Sequence, residues 1–195
     1  IPDTAFEQAL INHGLDDVIN GQVLTTNISD LENLYVENEG ISDLTGIECF
    51  TSLKELWCLA NKLTSLDVSG CTALAELHCY NNQLTSLDLS QNTALTDLQC
   101  GGNQLTSIDV SQNTALETLG CNDNQLTSLD VSQNTALTDL YCSANQLTCL
   151  NVKNGNNTNF RDFKAYGCPI LTCIEVDDPA WSTQNWTVAN YDIDP

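Results

Sequence analysis

Basic residues are scarce in this chain of 195 residues, which has 5 Lys and Arg against 26 Asp and Glu and a formal net charge of −21. Nucleic-acid binding needs a basic footprint, and anionic lipid surfaces attract basic segments. The charge therefore argues against a nucleic-acid partner and against an anionic membrane surface. It favours solubility and cationic partners or divalent cations.

Long apolar runs and histidines are also lacking. No apolar run approaches the roughly 20 residues that span a bilayer, so we predict no membrane insertion. The only histidines are His13 and His78, and neither lies beside a nucleophile motif. A pair of acids for glycoside cleavage would be an arbitrary choice among so many carboxylates. We therefore predict no catalytic residues and expect that the chain is not an enzyme.

A 21-residue repeat fills most of the sequence. Its pattern is leucine, two residues, leucine, one residue, cysteine, two residues, asparagine, one residue, leucine. Copies begin at Leu53, Leu74, Leu95, Leu116 and Leu137, with a looser copy at Leu31 and a degenerate one at Phe160. A fixed period of roughly 20 to 29 residues on this pattern marks a leucine-rich-repeat solenoid. We predict a mostly all-β solenoid of about seven coils.

Each coil is predicted to have two extended sides. The segment that ends in cysteine forms the first strand, and the following leucine-threonine-serine-leucine-aspartate segment alternates with the period of a second strand. The asparagine between them is expected to bond turn backbones of neighbouring coils, because buried amides need partners. This column comprises Asn61, Asn82, Asn103, Asn124 and Asn145. Five polar residues, Ser-Gln-Asn-Thr-Ala, close the coil and are too few for a helix.

The two ends of the chain depart from the repeat and are predicted to be caps. Residues 1–30 form the N-terminal cap, where Thr4 and Glu7 suggest a capping box for a short helix. The solenoid occupies residues 31–176, and residues 177–195 form the C-terminal cap of one structural domain. Trp181 and Trp186 are expected to cover the last coil, with a sugar-stacking platform as the alternative.

Five of the ten cysteines share one inward position on successive coils and are predicted to be buried thiols of the core, which behave as small hydrophobes. They are Cys58, Cys79, Cys100, Cys121 and Cys142. Two further pairs lie on adjacent coils, Cys49 with Cys71 and Cys149 with Cys173. Strand spacing permits a disulfide in both pairs, which would indicate an oxidising compartment. The pairing of Cys168 is open.

The repeat resembles bacterial leucine-rich-repeat proteins of the internalin-like, short 21-residue class. The run from Leu74 to Leu84 and Leu87-Asp88-Leu89 carry the likeness, and both ends look like caps of secreted Gram-negative members. The resemblance implies a protein secreted from a bacterium or held at its extracellular surface that binds proteins or glycans without catalysis. It fixes no ligand. The cysteine column and the missing helical side depart from the class.

Two outward columns of the first strand vary between coils and are the predicted binding surface. One comprises Tyr35, Trp57, His78, Gln99, Gly120, Tyr141 and Lys164, and the next Glu37, Leu59, Tyr80, Gly101, Asn122, Ser143 and Tyr166. Exposed rings anchor protein interfaces; the alternative is cross-strand pairing that only stabilises the sheet. We predict an aromatic-apolar patch and a hollow at Gly101, Gly102 and Gly120. The predicted binding residues are Tyr35, Trp57, Leu59, His78, Tyr80, Gln99, Tyr141 and Tyr166.

The second strand instead repeats the same outward residues. Threonine occupies Thr64, Thr85, Thr106, Thr127 and Thr148, serine occupies Ser65, Ser86, Ser107 and Ser128, and aspartate occupies Asp67, Asp88, Asp109 and Asp130. The simple interpretation is a soluble ladder of high strand propensity. A regular hydroxyl array also suggests an ice-binding or structural surface as the alternative function. No cofactor is predicted, although the stacked aspartates could attract Ca²⁺.

Overall fold

The computed structural model describes residues 1–186, which form a solenoid with a helix near each end. Helix α1 spans Thr4–Asn12, α2 spans Thr25–Ile28 and α3 spans Pro179–Asn185. Short 3-10 helices occupy Ile47–Cys49 and Asn157–Asn159. The described chain confirms the predicted mostly-β solenoid of about seven coils. The last nine residues of the predicted C-terminal cap, 187–195, lie outside the described residues.

The first side of every coil contributes one strand to a seven-stranded parallel sheet. Its order is β1-β2-β3-β4-β5-β7-β9. These strands are β1 (Asn33–Tyr35), β2 (Glu55–Trp57), β3 (Glu76–His78), β4 (Asp97–Gln99), β5 (Thr118–Gly120), β7 (Asp139–Tyr141) and β9 (Asp162–Lys164). The central residue of each strand is buried and the flanking residues face outward, as the period of two requires. Equivalent positions of neighbouring coils are in register, as Leu56 is with Leu77.

The second side is less regular than predicted. Within residues 1–186, this side forms strands only on later coils, at β6 (Ser128–Asp130), β8 (Cys149–Asn151) and β10 (Cys173–Glu175), in the order β10-β8-β6. The asparagine column joins neighbouring coils just before this side. The N–H of Leu63 donates to the side-chain oxygen of Asn82 at 3.0 Å, and the N–H of Gln83 donates to the Leu63 carbonyl. Equivalent bonds are present on the later coils as well, from the N–H of Leu126 to Asn145 and from the N–H of Gln146 to the Leu126 carbonyl.

The interior is a rod of stacked leucines beside the predicted cysteine column. All five cysteines of that column are fully buried. Burial raises the pKa of the Cys58 and Cys100 thiols to about 12. Thiolates are the reactive and metal-binding form, so these thiols are core residues, as predicted.

The predicted asparagine column is confirmed. The amide nitrogen of Asn103 donates to the carbonyls of Cys79 and Cys100, both at 3.1 Å, and its side-chain oxygen accepts from the N–H of Leu84 at 3.0 Å. One side chain thus satisfies backbone groups on two coils. The same pattern recurs at Asn82, Asn124 and Asn145.

A second asparagine column escaped the sequence analysis, which placed these residues in the polar turn that closes each coil. Asn92, Asn113 and Asn134 are fully buried. The amide nitrogen of Asn113 donates to the carbonyls of Leu89 and Asn92 at 3.1 and 2.8 Å. Their side-chain oxygens have no partner among the described residues. Cys71 occupies the equivalent buried position one coil earlier, where its thiol donates to the Ile47 carbonyl.

The two cysteines of the predicted Cys49–Cys71 bridge lie in different surroundings. Cys49 is exposed, whereas Cys71 is fully buried, and both are free thiols. The residue that corresponds to Cys71 on the preceding coil is the buried Phe50, one position after Cys49. Cys49 is instead the last residue of the 3-10 helix, so it is not the structural equivalent of Cys71, and the bridge stays a prediction.

The N-terminal helix is capped by a different residue from the one predicted. Asp3 is the N-cap, and its carboxylate accepts from the N–H groups of Ala5 and Phe6. Its other oxygen accepts from the hydroxyl and N–H of Ser42, on the first coil. Glu7 does not return to the cap, because its carboxylate accepts from three successive N–H groups at residues 20–22. The carboxylates of Asp3 and Glu7 therefore hold the N-terminal cap together, and the predicted capping box was wrong.

Replacing Asp3 with alanine is expected to lower the free energy of unfolding by about 1–2 kcal/mol at pH 7. Hydrogen bonds from Ser42, Phe6 and Ala5 outweigh burial and lower the pKa of Asp3 from 3.8 to about 2. A lowered pKa stabilises the fold above the unfolded value, and that contribution is lost as the pH falls through the folded value. Urea unfolding between pH 7 and pH 2 should therefore show the difference between wild type and variant shrinking below about pH 4.

The control for this prediction is Asp17→Ala, because Asp17 lies in the same cap but is exposed. This variant should differ little from wild type at any pH. Equal unfolding free energies for Asp3→Ala and wild type at pH 7 would contradict the assigned cap.

The described part of the C-terminal cap closes the last coil with aromatic side chains. Asp178 caps helix α3 by accepting from the N–H groups of Ala180 and Trp181. The Trp186 ring packs on Phe163 and Phe160, with centroid distances of 4.3 and 5.7 Å, and only 8% of Trp186 is exposed. Trp186 is therefore a lid residue rather than part of a sugar-stacking platform, since its ring is covered.

Candidate functional site

The predicted binding residues lie on one surface, the outward side of the seven-stranded sheet and the turn that follows each strand. We call this surface the variable face. Neighbouring parallel strands are about 4.8 Å apart, so each column of side chains is closely stacked. Tyr35, Trp57, His78, Gln99 and Tyr141 end five of the strands. Leu59, Tyr80 and Tyr166 follow two residues after their strands.

Aromatic rings at the N-terminal end of the variable face stack on one another. Trp57 and His78 are nearly parallel, with centroids 4.9 Å apart and planes 14° apart. Tyr35 tilts against Trp57 at 5.0 Å, and Tyr80 lies 6.5 Å from His78. Tyr35 is exposed, whereas Trp57, Leu59, His78 and Tyr80 are only partly exposed. The predicted patch therefore exists, but cross-strand pairing holds its rings against the sheet.

Two nitrogen atoms within this stack lack hydrogen-bond partners among the described residues. They are Nε1 of Trp57 and Nε2 of His78, and both atoms are buried. The nearest acid to His78 is Asp97, whose oxygen lies 3.7 Å away, beyond hydrogen-bond distance. Tyr35, by contrast, donates to Glu55 at 2.5 Å, and this bond raises the pKa of the phenol. The stack thus contains polar atoms that are not satisfied within it.

The glycine-rich middle of the variable face differs in detail from the prediction. A Cβ on Gly120 would stand 2.0 Å from the side-chain oxygen of Gln99, and one on Gly101 would stand 2.8 Å from that of Asn122. The glycines therefore let side chains of neighbouring coils lie flat on the sheet. Gly101 and Gly102 do line a hollow, but Gly120 lies beneath the Gln99 side chain.

Two adjoining hollows follow the stack, and they share Asn122 and Asp123. The first is lined by Tyr80, Asn81, Gln99, Gly101 and Gly102 in addition to the shared pair. The second is lined by Tyr141, Ser143, Ala144, Lys164 and Tyr166 in addition to the shared pair. Each hollow thus joins at least one tyrosine with amide and carboxylate groups. The amide of Asn122 donates to the Asp123 carboxylate at 2.6 Å, which fixes the ridge between the hollows.

The turn that borders these hollows has the same backbone conformation on every coil. One residue per turn adopts a left-handed conformation, with φ between +53° and +69°. These residues are Asn38, Ala60, Asn81, Gly102, Asp123, Ala144 and Gly167. Asn and Asp tolerate this conformation better than most L residues. The turn therefore presents Asn81 and Asp123 at equivalent positions on the rim of the hollows.

An acidic column on the variable face was missed by the sequence analysis. It lies at the first residue of each strand, which is acidic on five of the seven strands: Glu55, Glu76, Asp97, Asp139 and Asp162. The other two strands begin with Asn33 and Thr118. Arg161 pairs with Asp139, and Lys164 lies 3.0 Å from Asp162. Glu55, Glu76 and Asp97 are in register on three consecutive strands. The sequence does place these acids two residues before the aromatic column. Since alternate residues of a strand share a face, they could have been assigned to the same surface.

The opposite side of the coil carries the threonine, serine and aspartate columns, all of them exposed. Each aspartate accepts from the N–H of the serine two residues later, as Asp88 does from Ser90 at 2.9 Å. These hydrogen bonds lower the pKa values of Asp67, Asp88, Asp109 and Asp130. The acids therefore hold the turns of their own coils, whether or not Ca²⁺ binds there.

These features define the class of protein. It is a leucine-rich-repeat solenoid whose parallel sheet has an exposed outward side, and the side chains on that side vary from coil to coil. Solved structures share this fold. Internalin F of Listeria monocytogenes is 26% identical over 80% of this chain and 46% of its own, with a TM-score of 0.59. A leucine-rich-repeat protein of Leptospira interrogans is 19% identical over 89% of this chain and 52% of its own, with a TM-score of 0.54.

The functional domain of internalin J from Listeria monocytogenes, which includes a cysteine ladder, is 23% identical over 90% of this chain and 59% of its own, with a TM-score of 0.45. The chain spans about half the length of these solved chains. No protein-family model and no curated protein matches it. The similarity to internalin F confirms the predicted resemblance: this is an internalin-like bacterial leucine-rich-repeat fold. None of the helices within residues 1–186 is long and apolar enough to cross a bilayer.

Proposed function

We propose that this chain is a non-catalytic binding module, secreted or displayed on a bacterial surface, that recognises a protein or glycan through the variable face. The observation that carries the proposal is the pair of adjoining hollows lined by Tyr80, Tyr141 and Tyr166. Tyrosine gives an interface a large rigid contact area together with a polar end. The surface differs on every coil, whereas the opposite side repeats.

The surroundings of the hollows favour a partner that brings hydrogen-bond donors or positive charge. Asp123 is exposed on the ridge between the hollows, and the acidic column runs along the edge of the same sheet. The chain as a whole is strongly acidic. Complementary charge accelerates encounter and discourages wrong partners more than it raises affinity. We therefore expect binding to weaken as the salt concentration rises.

The alternative, an ice-binding or structural surface on the threonine side, has less support. A regular hydroxyl array needs a flat and continuous sheet, but the second side forms strands only at β6, β8 and β10. Thr64, Thr85 and Thr106 lie on coils without such a strand. We therefore place recognition on the variable face alone.

Combined alanine substitution of Tyr80 and Tyr141 is expected to weaken partner binding by roughly 100-fold or more, because each anchor residue at an interface contributes about 2 kcal/mol, or roughly 30-fold. The ligand is first identified by screening the intact chain on arrays of glycans and proteins. Titration calorimetry then compares wild type with the variant. One ring is removed from each hollow, while the Trp57–His78 stack that supports the sheet is left in place.

The matched control is Thr85→Ala with Thr106→Ala, which removes two exposed side chains from the opposite side of nearby coils. It should leave affinity unchanged. A partner whose affinity falls in the threonine variant but not in the tyrosine variant would overturn the proposed site. Circular dichroism of both variants separates lost contacts from lost folding.

A further inference from the structure

Two cysteines and a glutamate lie close together on the side of the solenoid opposite the variable face, near the C-terminal end. Cys149 of β8 and Cys173 of β10 are register partners. Both thiol sulfurs and a carboxylate oxygen of Glu175 all lie within 4.8 Å of one another. Within residues 1–186 this is the only group of three or more such side chains with that geometry. It belongs neither to the buried cysteine column nor to the variable face.

The architecture of the sheet brings these three side chains together. Register partners on adjacent parallel strands are about 4.8 Å apart, which places one thiol beside the other. Cys173 and Glu175 are separated by one residue, so their side chains share a face of β10. All three residues are at least partly exposed. Zn–S and Zn–O bonds of about 2.3 and 2.0 Å put the donor atoms of one ion roughly 3.5–4 Å apart. Small side-chain rotations therefore suffice to close this group around one ion.

Asn151, the polar residue next to this group, already has hydrogen-bond partners of its own. Asn151 is the register partner of Glu175, but its side-chain oxygen accepts from the N–H of Lys153 at 3.1 Å. Its amide side chain also bonds to Asp130. Asp130 and the exposed Glu175 make the surroundings negative. A bound cation would offset this negative charge.

We propose that Cys149, Cys173 and Glu175 form a binding site for a thiophilic divalent cation of the Zn²⁺ type. Two thiolates and one carboxylate supply three ligands, and water completes a tetrahedron. Each thiol releases its proton to solvent when the metal–sulfur bond forms, so affinity rises with pH. The bound ion joins β10 to β8. Since β10 leads directly into helix α3, the ion also fastens the C-terminal cap to the solenoid.

Titration of the full reduced chain with Co²⁺, which reports thiolate ligands through an intense sulfur-to-metal absorption band, tests this proposal. One equivalent is expected to bind, and Zn²⁺ should displace it. Substituting an outer-sphere group commonly costs about 10- to 100-fold in metal affinity, so Cys149→Ser and Cys173→Ser should each cost at least about 100-fold. Glu175→Gln should weaken binding while retaining the thiolate band.

The matched control is Cys49→Ser, which removes an exposed cysteine at the other end of the solenoid. It should bind Co²⁺ like the wild type. Loss of binding in Cys49→Ser, or binding that survives in Cys149→Ser, would overturn the proposed site. So would a chain that binds no metal when reduced and, in air, loses the mass of two thiol hydrogens to a Cys149–Cys173 disulfide. That last result would instead establish the bridge inferred from the sequence.

Discussion

Replacing Asn103 with alanine is expected to lower the free energy of unfolding by about 1–3 kcal/mol. The substitution removes one acceptor and three donor contacts from a buried position. The N–H of Leu84 then has no partner in the core, whereas the carbonyls of Cys79 and Cys100 still accept from the amides of Asn82 and Asn124. Each buried polar group left unsatisfied costs about 1–3 kcal/mol, and water that enters the space left by the side chain would recover part of that sum.

Urea unfolding followed by circular dichroism measures this change, with Gln104→Ala as the control. Gln104 is the next residue along the chain and is exposed, so its substitution should change stability by less than about 0.5 kcal/mol. Similar losses in both variants would show that Asn103 has no special role. Because each coil packs only on its neighbours, the transition could also broaden as the two halves of the rod uncouple.

Replacing Gly70 with alanine is expected to destabilise the solenoid by about 1–3 kcal/mol, the usual range for overpacking. A Cβ at this position would stand 1.9 Å from the backbone oxygen of Glu48 on the preceding coil. Glu48 lies in the 3-10 helix Ile47–Cys49, so its carbonyl cannot move aside as the end of a flexible side chain can. The two coils would have to separate locally.

The repeat supplies its own control for this prediction. Gln91 is the equivalent residue one coil later and is exposed, so Gln91→Ala should be nearly neutral. Thermal unfolding of the two variants measures the difference, and an equally stable Gly70→Ala would refute the close approach to Glu48. Gly70 is thus required by the short helix of the neighbouring coil rather than by the repeat.

The variable face depends on the regularity that these predictions test. The asparagine columns hold successive coils in register, and that register stacks Trp57 on His78 and places Tyr80 beside one hollow and Tyr141 beside the next. The buried amides of the Asn103 column, which bond through both nitrogen and oxygen, make this scaffold rigid. The scaffold thus holds side chains from different coils at fixed spacings, which suits recognition without catalysis.

Much of the architecture follows from the sequence because its information is periodic. A leucine or cysteine that recurs every 21 residues can be buried only if the coils stack in register. The inward columns, the first sheet and the Asn103 column could be predicted for this reason. The outward columns of the candidate site followed from the same alternation, although the acidic column was overlooked.

Other features were set by contacts between coils, which the period does not encode. The polar composition of Ser-Gln-Asn-Thr-Ala gave no sign that its asparagine would be buried. The exposed Cys49 and the buried Cys71 differ by one position because a 3-10 helix interrupts the first coil. The helix is capped by Asp3 and not by the predicted Thr4. Ser42, which is distant in sequence, donates further hydrogen bonds to Asp3.

The sequence by itself thus determined the solenoid, the number of its coils and the side chains that face inward, because hydrophobic burial acts with the period of the repeat. Only the tertiary structure decided that the side chains of Gln99 and Asn122 lie against glycines of neighbouring coils, and where the two hollows lie. It also decided that Cys149, Cys173 and Glu175 lie close together. These features depend on distances of a few ångströms between coils. Side chains that differ from coil to coil, such as Gln99 above Gly120, set those distances, and the repeat does not encode them.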